Sequence, residues 1–262
     1  MPDTLKIAAL QMATSSSVPE NAGKLHNAID TASREDADVL VAPECALSGY
    51  LPDPVLDEEV LLPAREELVA HSAEKDLWFA LGCPTHRDGR WYNTALLYSP
   101  DGDLLTTYDK TELIVGDRAV FAPGEHLSVF RMEGWTVALQ ICFDMRFPEN
   151  WRILRRKGAE LVLHLSSAAG SAAWKVPVLE GAIRTRAAEN GMFVVSANDA
   201  RPPQMLVSAI CDPLGKHLAG AEENQEMLIT ATLNRRECRT NYLDARRTDL
   251  WNTPEHRRLL LE

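Results

Sequence analysis

The amino-acid sequence predicts an α/β protein in which strands and helices alternate around a mixed β-sheet. An apolar run at 5–10, an amphipathic helical pattern at 19–35 and a second apolar run at 38–42 together predict a βαβ unit. The alternating stretch 91–108 carries an Asp-Gly turn, which favours a β-hairpin. Short apolar runs and helical patterns then continue to alternate along the chain, as such a fold requires.

Each further element is predicted from its own local pattern. The helical patterns lie at 58–75, 148–157 and 171–190. The strand patterns lie at 77–82, 136–141, 161–165 and 192–197. We expect Pro63 in the first turn of its helix and Gly191 as the left-handed C-cap of the last helix. A late hairpin is predicted from a strand at 206–211, a turn at 212–215 and a strand at 226–233.

Composition and charge restrict the class of protein. With 262 residues, 45% of them hydrophobic and 25% charged, the chain has the composition of a soluble globular protein. No linker or repeat divides it, so we predict one domain over 1–262. The net charge of −11 argues against nucleic-acid and membrane partners, which require a basic surface.

The cysteines and the N-terminus indicate a cytoplasmic protein. The five cysteines are scattered and odd in number, which is typical of reduced thiols. The N-terminus, MPDTLKIAAL, has no basic stretch before a long apolar core, so we expect no signal peptide. Apolar runs are too short for a membrane span.

One stretch, TVALQICFDMRFP at 136–148, places a cysteine where a buried strand ends. Cys142 follows the strand directly, and Pro148 suits the first position of the next helix. A side chain on such a turn points to the mouth of a sheet, where open α/β sheets bind ligands. For a lone cysteine, a buried structural thiol is the alternative interpretation.

A nucleophilic thiol needs a base or a nearby positive charge. Among the seven histidines only His164 stands at a strand end, and a structural imidazole is the favoured interpretation of it. Glu44 follows a strand and Pro43, where partial desolvation would raise the pKa of its carboxyl towards the range of proton transfer. A capping or surface glutamate is the equal alternative. Lys110, at the end of the hairpin, would stabilise an oxyanion if it lay near the thiol. The alternative is that it is a solvated lysine at the tip of a strand.

Three blocks, in this order along the chain, resemble the signature blocks of the nitrilase superfamily of carbon–nitrogen hydrolases. They are PE at 43–44 after DVLVA, YDK at 108–110 with FAPG at 121–124, and ICFDMRFP at 141–148. Supporting blocks extend the resemblance over about 5–249: LVLHLSS at 161–167, RTRAAEN at 184–190 and SAICDPLG at 208–215. The resemblance implies a four-layer αββα sandwich with two mixed β-sheets.

The resemblance also implies a Glu-Lys-Cys triad. Carried over by position, Cys142 is the nucleophile, Glu44 the general base and acid, and Lys110 the oxyanion stabiliser. The backbone N–H of Phe143 is implied as a second oxyanion donor. Such a reaction needs no cofactor. No metal is expected either, because the C-x-x-H pair of Cys83 and His86 has no second pair to complete a site.

Two positions depart from the family pattern. The chain has Glu112 where a histidine is frequent, and Asp117 where many members carry a second glutamate. We interpret Asp117 as a residue that positions Lys110 or the substrate, with an exposed Asp117–Arg118 pair as the alternative.

The implied activity is hydrolysis of a small amide or N-carbamoyl compound through a thioester, with release of ammonia or an amine. Cys142-Phe143-Asp144 and the short tail resemble the amidase and carbamoylase branches. By placement in the family, the substrate pocket is expected to be lined by Tyr50, Arg146, Ala168 and Trp174. We interpret Arg146 mainly as a structural ion-pair partner, with pairing to a substrate carboxylate as the alternative.

Alternatives remain at this stage. They are nitrile hydrolysis by the same triad, a Cys142–His164 thiol hydrolase, and a catalytically silent binding protein that kept the fold. The family further implies a homodimer in which helices 148–157 and 171–190 meet across a two-fold axis, with the tail at 242–262 at the interface.

Overall fold

The structure, a computed structural model, describes residues 3–238 and 241–245. In these residues the strands, numbered in chain order, are β1 (Thr4–Gln11), β2 (Val39–Val41), β3 (Trp78–Gly82), β4 (Thr85–Arg87), β5 (Arg90–Tyr92), β6 (Thr94–Tyr98), β7 (Leu104–Asp109), β8 (Phe130–Met132), β9 (Trp135–Ile141), β10 (Leu161–Ser166), β11 (Phe193–Asn198), β12 (Ala209–Cys211), β13 (His217–Gly220) and β14 (Met227–Asn234). The helices are α1 (Val18–Arg34), α2 (Glu58–Glu74), α3 (Pro148–Arg156), α4 (Val176–Asn190) and α5 (Asn241–Asp244). Within this part of the chain, no helix is both long enough and apolar enough to span a membrane.

The strands of the described residues form two six-stranded mixed sheets and one small hairpin, β4–β5. The first sheet has the order β14-β1-β2-β3-β6-β7, with β1, β2 and β3 parallel. The second has the order β13-β12-β11-β10-β9-β8, with β9, β10 and β11 parallel. The carboxyl ends of parallel strands share one edge of a sheet, where ligands bind in open α/β folds.

Side chains on alternate positions of β1 explain the four layers. Ile7 and Ala9 face the second sheet and belong to the apolar cluster between the sheets. Ala8 and Leu10 face the other way and pack with residues of α1 and α2. A corresponding cluster joins α3 and α4 to the outer face of the second sheet. This αββα arrangement confirms the predicted fold, because strand side chains alternate between faces and both faces are apolar.

The N-terminal βαβ unit and the Asp-Gly hairpin are confirmed. Strands β1 and β2 are parallel, with Ile7 opposite Val39. Strands β6 and β7 form the hairpin, which contains a register shift between Leu97 and Tyr98.

The second arm of the predicted late hairpin is wrong. The partner of β12 is β13, which follows directly after the Asp212–Gly215 turn. Strand β14 instead crosses to the first sheet and pairs with β1 along its whole length, from Thr4 opposite Asn234 to Gln11 opposite Met227. A short turn closes onto the nearest extended segment, so the later strand is free to cross to the other sheet.

Two helix predictions need correction as well. The helix predicted at 171–190 begins at Val176, because a tight 3₁₀ turn, Ala173–Lys175, precedes it and Pro177 occupies its first turn. Pro63 lies in the second turn of α2, whose start is fixed by the Asp57 side chain accepting from the Glu59 N–H. Of the predicted tail at 242–262, residues beyond 245 lie outside the described part of the chain.

Candidate active site

Glu44 lies just beyond the carboxyl end of β2, on a turn pressed against β3. A Cβ atom on Gly82 would lie 2.1 Å from the Pro43 carbonyl oxygen and 2.6 Å from the Cys45 backbone nitrogen. Only glycine therefore lets this turn lie so close to the strand. The Glu44 side chain is completely buried there.

Lys110 follows β7 directly and is held by the FAPG block. Its backbone N–H donates to the Asn93 carbonyl at 2.9 Å, and its carbonyl accepts from the Gly124 N–H at 2.9 Å. A Cβ atom on Gly124 would lie 2.2 Å from the Asp109 carbonyl oxygen, so this close approach requires glycine. The Lys110 side chain is completely buried, and it points towards Glu44.

Two carboxylates hold the Lys110 ammonium. Its Nζ donates to Glu44 Oε1 and to Asp117 Oδ2, both at 2.7 Å, and lies 3.4 Å from the Tyr50 hydroxyl. Burial disfavours a charged lysine, but the attraction of Glu44 and the other negative groups outweighs it, so the pKa of Lys110 is raised. The ammonium is therefore charged at every physiological pH.

Asp117 reaches the ammonium although it is shorter than glutamate. A 3₁₀ turn, Asp117–Ala119, brings its carboxylate inward, where the side chain is completely buried. Oδ1 accepts from the Tyr50 hydroxyl and Oδ2 accepts from the Ile114 N–H at 3.2 Å. The alternative of an exposed Asp117–Arg118 pair is therefore wrong.

Glu44 has two further donors besides Lys110. The Asn93 side-chain amide donates to Oε1 at 2.7 Å, and the Ser167 backbone N–H donates to Oε2 at 2.8 Å. Burial raises the pKa of the Glu44 carboxyl, while the Lys110 charge opposes the shift. A carboxylate with a raised pKa is a better proton acceptor than an exposed one.

Cys142 occupies a strained turn at the end of β9. Its φ of +43° lies in the left-handed region, which is unusual for a residue with a side chain. Asp144, two residues on, accepts from the Ile141 N–H at 2.8 Å and, from the segment after β7, from the Glu112 N–H at 2.9 Å. The Asp144 carboxylate thereby joins the turn of the cysteine to the turn of Lys110.

The Cys142 side chain is half-buried, and the charges of Glu44 and Lys110 both act on the pKa of its thiol. Burial, followed by the charge of Glu44, raises the pKa of this thiol to about 12, whereas Lys110 and the Ser167 N–H lower it. The resting side chain is therefore a thiol, not a thiolate, at neutral pH. A base must take its proton before or during attack, and Glu44 is the carboxylate whose charge acts on this thiol.

His164 serves the backbone instead of the thiol. Its Nε2 lies 3.1 Å from the Cys142 carbonyl oxygen and its Nδ1 lies 2.9 Å from the Ser196 hydroxyl. Because a carbonyl oxygen only accepts, Nε2 carries the hydrogen and Nδ1 accepts from Ser196. Burial lowers the pKa of His164 to about 4. No ring nitrogen is free to take the thiol proton, which argues against the Cys142–His164 hydrolase.

A cavity of about 440 Å³ opens at Cys142. Its lining includes all four residues expected from the sequence, together with Phe143: Tyr50, Arg146, Ala168 and Trp174. Arg146 makes no ion pair or hydrogen bond with the described residues, so they give no support to its interpretation as a structural ion-pair partner. Lys175 also lines the cavity, with its ammonium 5.6 Å from the centre of the Trp174 ring.

Sequence reasoning missed three polar residues of this region: Asn93, Ser167 and Asp199. Ser167 and Asp199 directly follow β10 and β11, so the strand-end argument applied to Glu44 would also have found them. Asn93 stands between two short strands, and no local pattern marks it. The C-x-x-H pair lies elsewhere, with Cys83 buried and the His86 ring packed on Trp91. In the described residues no group of three histidine, cysteine or acidic side chains could hold a metal ion.

Fold and site together define a cysteine hydrolase on an αββα sandwich, and known proteins agree. The sequence profile of the carbon–nitrogen hydrolase family matches residues 6–241. An (R)-stereoselective amidase from a Pseudomonas species is 34% identical over 74% of this chain and 70% of its own. A human omega-amidase is 28% identical over 84% of this chain and 86% of its own.

Solved structures of an amidase from Nesterenkonia sp. AN1, of the nitrilase superfamily, share the fold. A variant bound to acrylamide has a TM-score of 0.83 and 26% identity, and the alignment covers 95% of this chain and 96% of that one. In another variant, the acetamide moiety of fluoroacetamide is covalently attached to the active-site cysteine, with a TM-score of 0.82, 27% identity and coverage of 94% and 95%.

The chain therefore belongs to the carbon–nitrogen hydrolase family. It is an amidase-like, cysteine-dependent hydrolase of the nitrilase superfamily, which confirms the family and reaction class predicted from the sequence.

Proposed function

We propose that Cys142, Glu44 and Lys110 hydrolyse the amide bond of a small molecule through a thioester. The observation that carries this proposal is the buried Lys110 ammonium, held 2.7 Å from Glu44 and 2.7 Å from Asp117 beside a protonated thiol. A fixed positive charge next to a nucleophile and a base suits a reaction in which negative charge develops on a carbonyl oxygen.

Each step uses one of these groups. Glu44 takes the Cys142 proton while Sγ bonds to the carbonyl carbon, and the oxyanion is stabilised by Lys110 and the Phe143 backbone N–H. The oxyanion collapses, the C–N bond breaks, and Glu44 gives the proton to the leaving nitrogen. Water, deprotonated by Glu44, then attacks the thioester and releases the acid and the thiol. Asp117 keeps the ammonium in place throughout.

The cavity supports an amide substrate that carries a negative charge away from the scissile bond. Among the described residues, its lining includes Arg146 and Lys175 but no aspartate or glutamate, although the chain carries a net charge of −11. Tyr50, Ala168 and Trp174 supply apolar surface for the body of the substrate. N-carbamoyl acids have the same charge distribution, so they form the second substrate class.

The experiment is a panel of small substrates followed by intact-protein mass spectrometry. Amides and N-carbamoyl compounds with a terminal carboxylate are expected to release ammonia faster than neutral amides or nitriles of equal length. Cys142→Ala is expected to abolish turnover and the acyl adduct. Glu44→Gln is expected to lower kcat by about 10²–10⁴, the usual contribution of a general base.

The thiol gives an independent measurement in the same variants. Because the resting thiol needs a base before it can attack, Glu44→Gln is expected to react with iodoacetamide more slowly than the native protein at pH 7. Ser72→Ala, which removes a buried hydroxyl of α2, is the control with native turnover. Turnover by Cys142→Ala, or native kcat in Glu44→Gln, would refute the proposed roles.

We also propose a homodimer that forms through α3 and α4. Both helices cover the outer face of the second sheet and carry exposed apolar side chains: Ile153, Val176 and Val178. Such surface on neighbouring helices favours association. Analytical ultracentrifugation that finds only monomer at micromolar concentration would contradict it. We extend the proposed interface to the tail at 242–262.

The proposal also includes that the chain forms a single domain and that the protein lies in a reducing compartment. Both sheets contribute to one site, Glu44 and Lys110 from the first and Cys142 from the second, so neither half is a functional unit alone. The mechanism needs a reduced thiol, which the cytoplasm maintains. Fractionation that recovers the protein in an oxidising compartment would overturn the location.

A further inference from the structure

Asp199 lies at the end of β11, and its side chain is completely buried. Its Oδ2 accepts from the Thr14 hydroxyl at 2.7 Å, the Ser167 hydroxyl at 3.0 Å and Arg201 Nε at 2.7 Å. Its Oδ1 accepts from the Arg201 backbone N–H at 2.8 Å. The carboxylate therefore fixes three separate segments of the chain at one point.

These segments belong to both sheets. Thr14 follows β1 of the first sheet, whereas Ser167 and Asp199 follow β10 and β11 of the second. Next to them, Met12 forms an isolated bridge with Asp199, and the Ala200 N–H donates to the Met12 carbonyl at 3.0 Å. Asp199 thus lies where the carboxyl edges of the two sheets meet.

Ser167 connects this cluster to the catalytic groups. Its hydroxyl donates to Asp199 and lies 3.3 Å from Arg201 Nη2, so it is held from two sides. Its backbone N–H donates to Glu44 Oε2 at 2.8 Å and also lowers the pKa of the Cys142 thiol. The Ser167 amide therefore faces the proposed base and the proposed nucleophile at once.

We propose that Asp199 is a positioning residue that acts through Ser167. It holds the Ser167 amide so that Glu44, on the first sheet, stays aligned with Cys142, on the second. Glu44 and Cys142 are far apart along the chain and follow strands of different sheets, so their alignment depends on contacts between the sheets at this edge. The inference rests on the role proposed for Glu44.

The expected effect is on kcat and on the acid limb of the pH profile. The Ser167 N–H stabilises the charged form of Glu44, and a loosened bond raises the pKa of that carboxyl. Asp199→Asn is therefore expected to lower kcat by about 10–10², as a misplaced catalytic group does. The acid limb of kcat/KM is expected to move to higher pH by about 0.5–1 unit.

Ser167→Ala tests the same connection with little risk to folding. It keeps the backbone N–H but removes the hydroxyl held by Asp199, so we expect the same shift of the acid limb with a smaller loss of kcat. Ser72→Ala, a buried hydroxyl that donates to the Val69 carbonyl, is the matched control and is expected to keep the native pH profile.

A purely structural Asp199 would give a different result. The melting temperature would then fall while the acid limb and kcat of the folded enzyme stayed native in both variants, which overturns the proposal. If Asp199→Asn does not fold, the pH profile of Ser167→Ala alone decides. Failure of the triad would be separate, because it would appear as turnover by Cys142→Ala.

Discussion

The layer between the two sheets contains two regions of opposite character. Its middle is apolar and includes Ile7, Val41 and Leu139. Its carboxyl edge is just as deeply buried but carries charges, among them Glu44 and Lys110. The two regions belong to the same strands, so a few residues along one strand separate packing from chemistry.

The energetics of the two regions differ in the same way. Burial of apolar surface contributes about 25 cal/mol per Å², so the middle of the layer stabilises the fold. In a buried ion-pair cluster, the cost of desolvating the charges offsets much of their attraction, so the charged edge adds little net stability. The proposed reaction accounts for the charges at this edge. Changes in the middle should then reduce stability, and changes at the edge should reduce activity.

The largest effect is expected from Lys110→Met, because it removes the cation of the buried cluster as well as a proposed catalytic group. Activity should fall by about 10²–10³ or more with the loss of the proposed oxyanion donor. Glu44 and Asp117 would lie buried without their cation, which should lower the free energy of unfolding by about 3–5 kcal/mol. Urea denaturation and kcat/KM measure the two effects.

Lys24→Met is the control for this prediction. Lys24 also bridges two carboxylates, those of Glu20 and Glu226, but all three side chains are partly exposed. Its removal should cost about 1 kcal/mol or less and leave kcat unchanged. Equal destabilisation by both lysine changes would show that burial does not set the cost.

Leu5→Ala is expected to separate stability from activity. Leu5 is buried near the amino end of β1, opposite Leu233 and far along the strand from the charged edge. The cavity should lower the free energy of unfolding by about 2–5 kcal/mol, while the folded fraction keeps native kcat. Denaturation and active-site titration check this expectation.

The exposed Leu104 offers a matched comparison, because Leu104→Ala should change stability by only about 0.5 kcal/mol. A large loss of kcat in Leu5→Ala would mean that the packed middle and the charged edge are not separable.

Local patterns predicted the parts of this fold that local physics decides. The βαβ unit follows from periodicity, and the hairpin follows from its Asp-Gly turn. The strand that ends at Cys142 and the helix at Pro148 likewise depend on neighbours in sequence. The pairing of β14 with β1 was missed, because alternation specifies a strand but not its partner.

The site shows the same division. Cys142 and Glu44 were marked by their place at strand ends, and the triad as a whole rested on resemblance to a family. The contacts of Asp117 depend on segments distant in sequence, and the bond from the Ser167 amide to Glu44 depends on the approach of two sheets, which no local pattern encodes. The sequence placed Arg146 at the pocket, but it could not show that no described side chain pairs with it.

The smallest effect is a pH dependence of stability at Asp144, which sits at the border of the two regions. Burial raises the pKa of its carboxyl from 3.8 to about 6, against the donors that surround it. The folded state then binds the proton more tightly than the unfolded state. The stabilisation is complete below about pH 4 and is lost as pH rises through 6, by at most about 3 kcal/mol.

Asp144→Asn cannot titrate, so the comparison with the native protein isolates this dependence. We expect the native protein to lose stability relative to the variant between pH 4 and pH 7, measured by urea denaturation at both values. A native protein that gains stability relative to the variant as pH rises would contradict this expectation. That result would mean that the donors, the Tyr108 hydroxyl at 2.7 Å and the backbone N–H groups of Ile141 and Glu112, keep the carboxylate ionised despite its burial. The charged edge would then extend to this residue, and hydrogen bonds, not desolvation, would set its protonation.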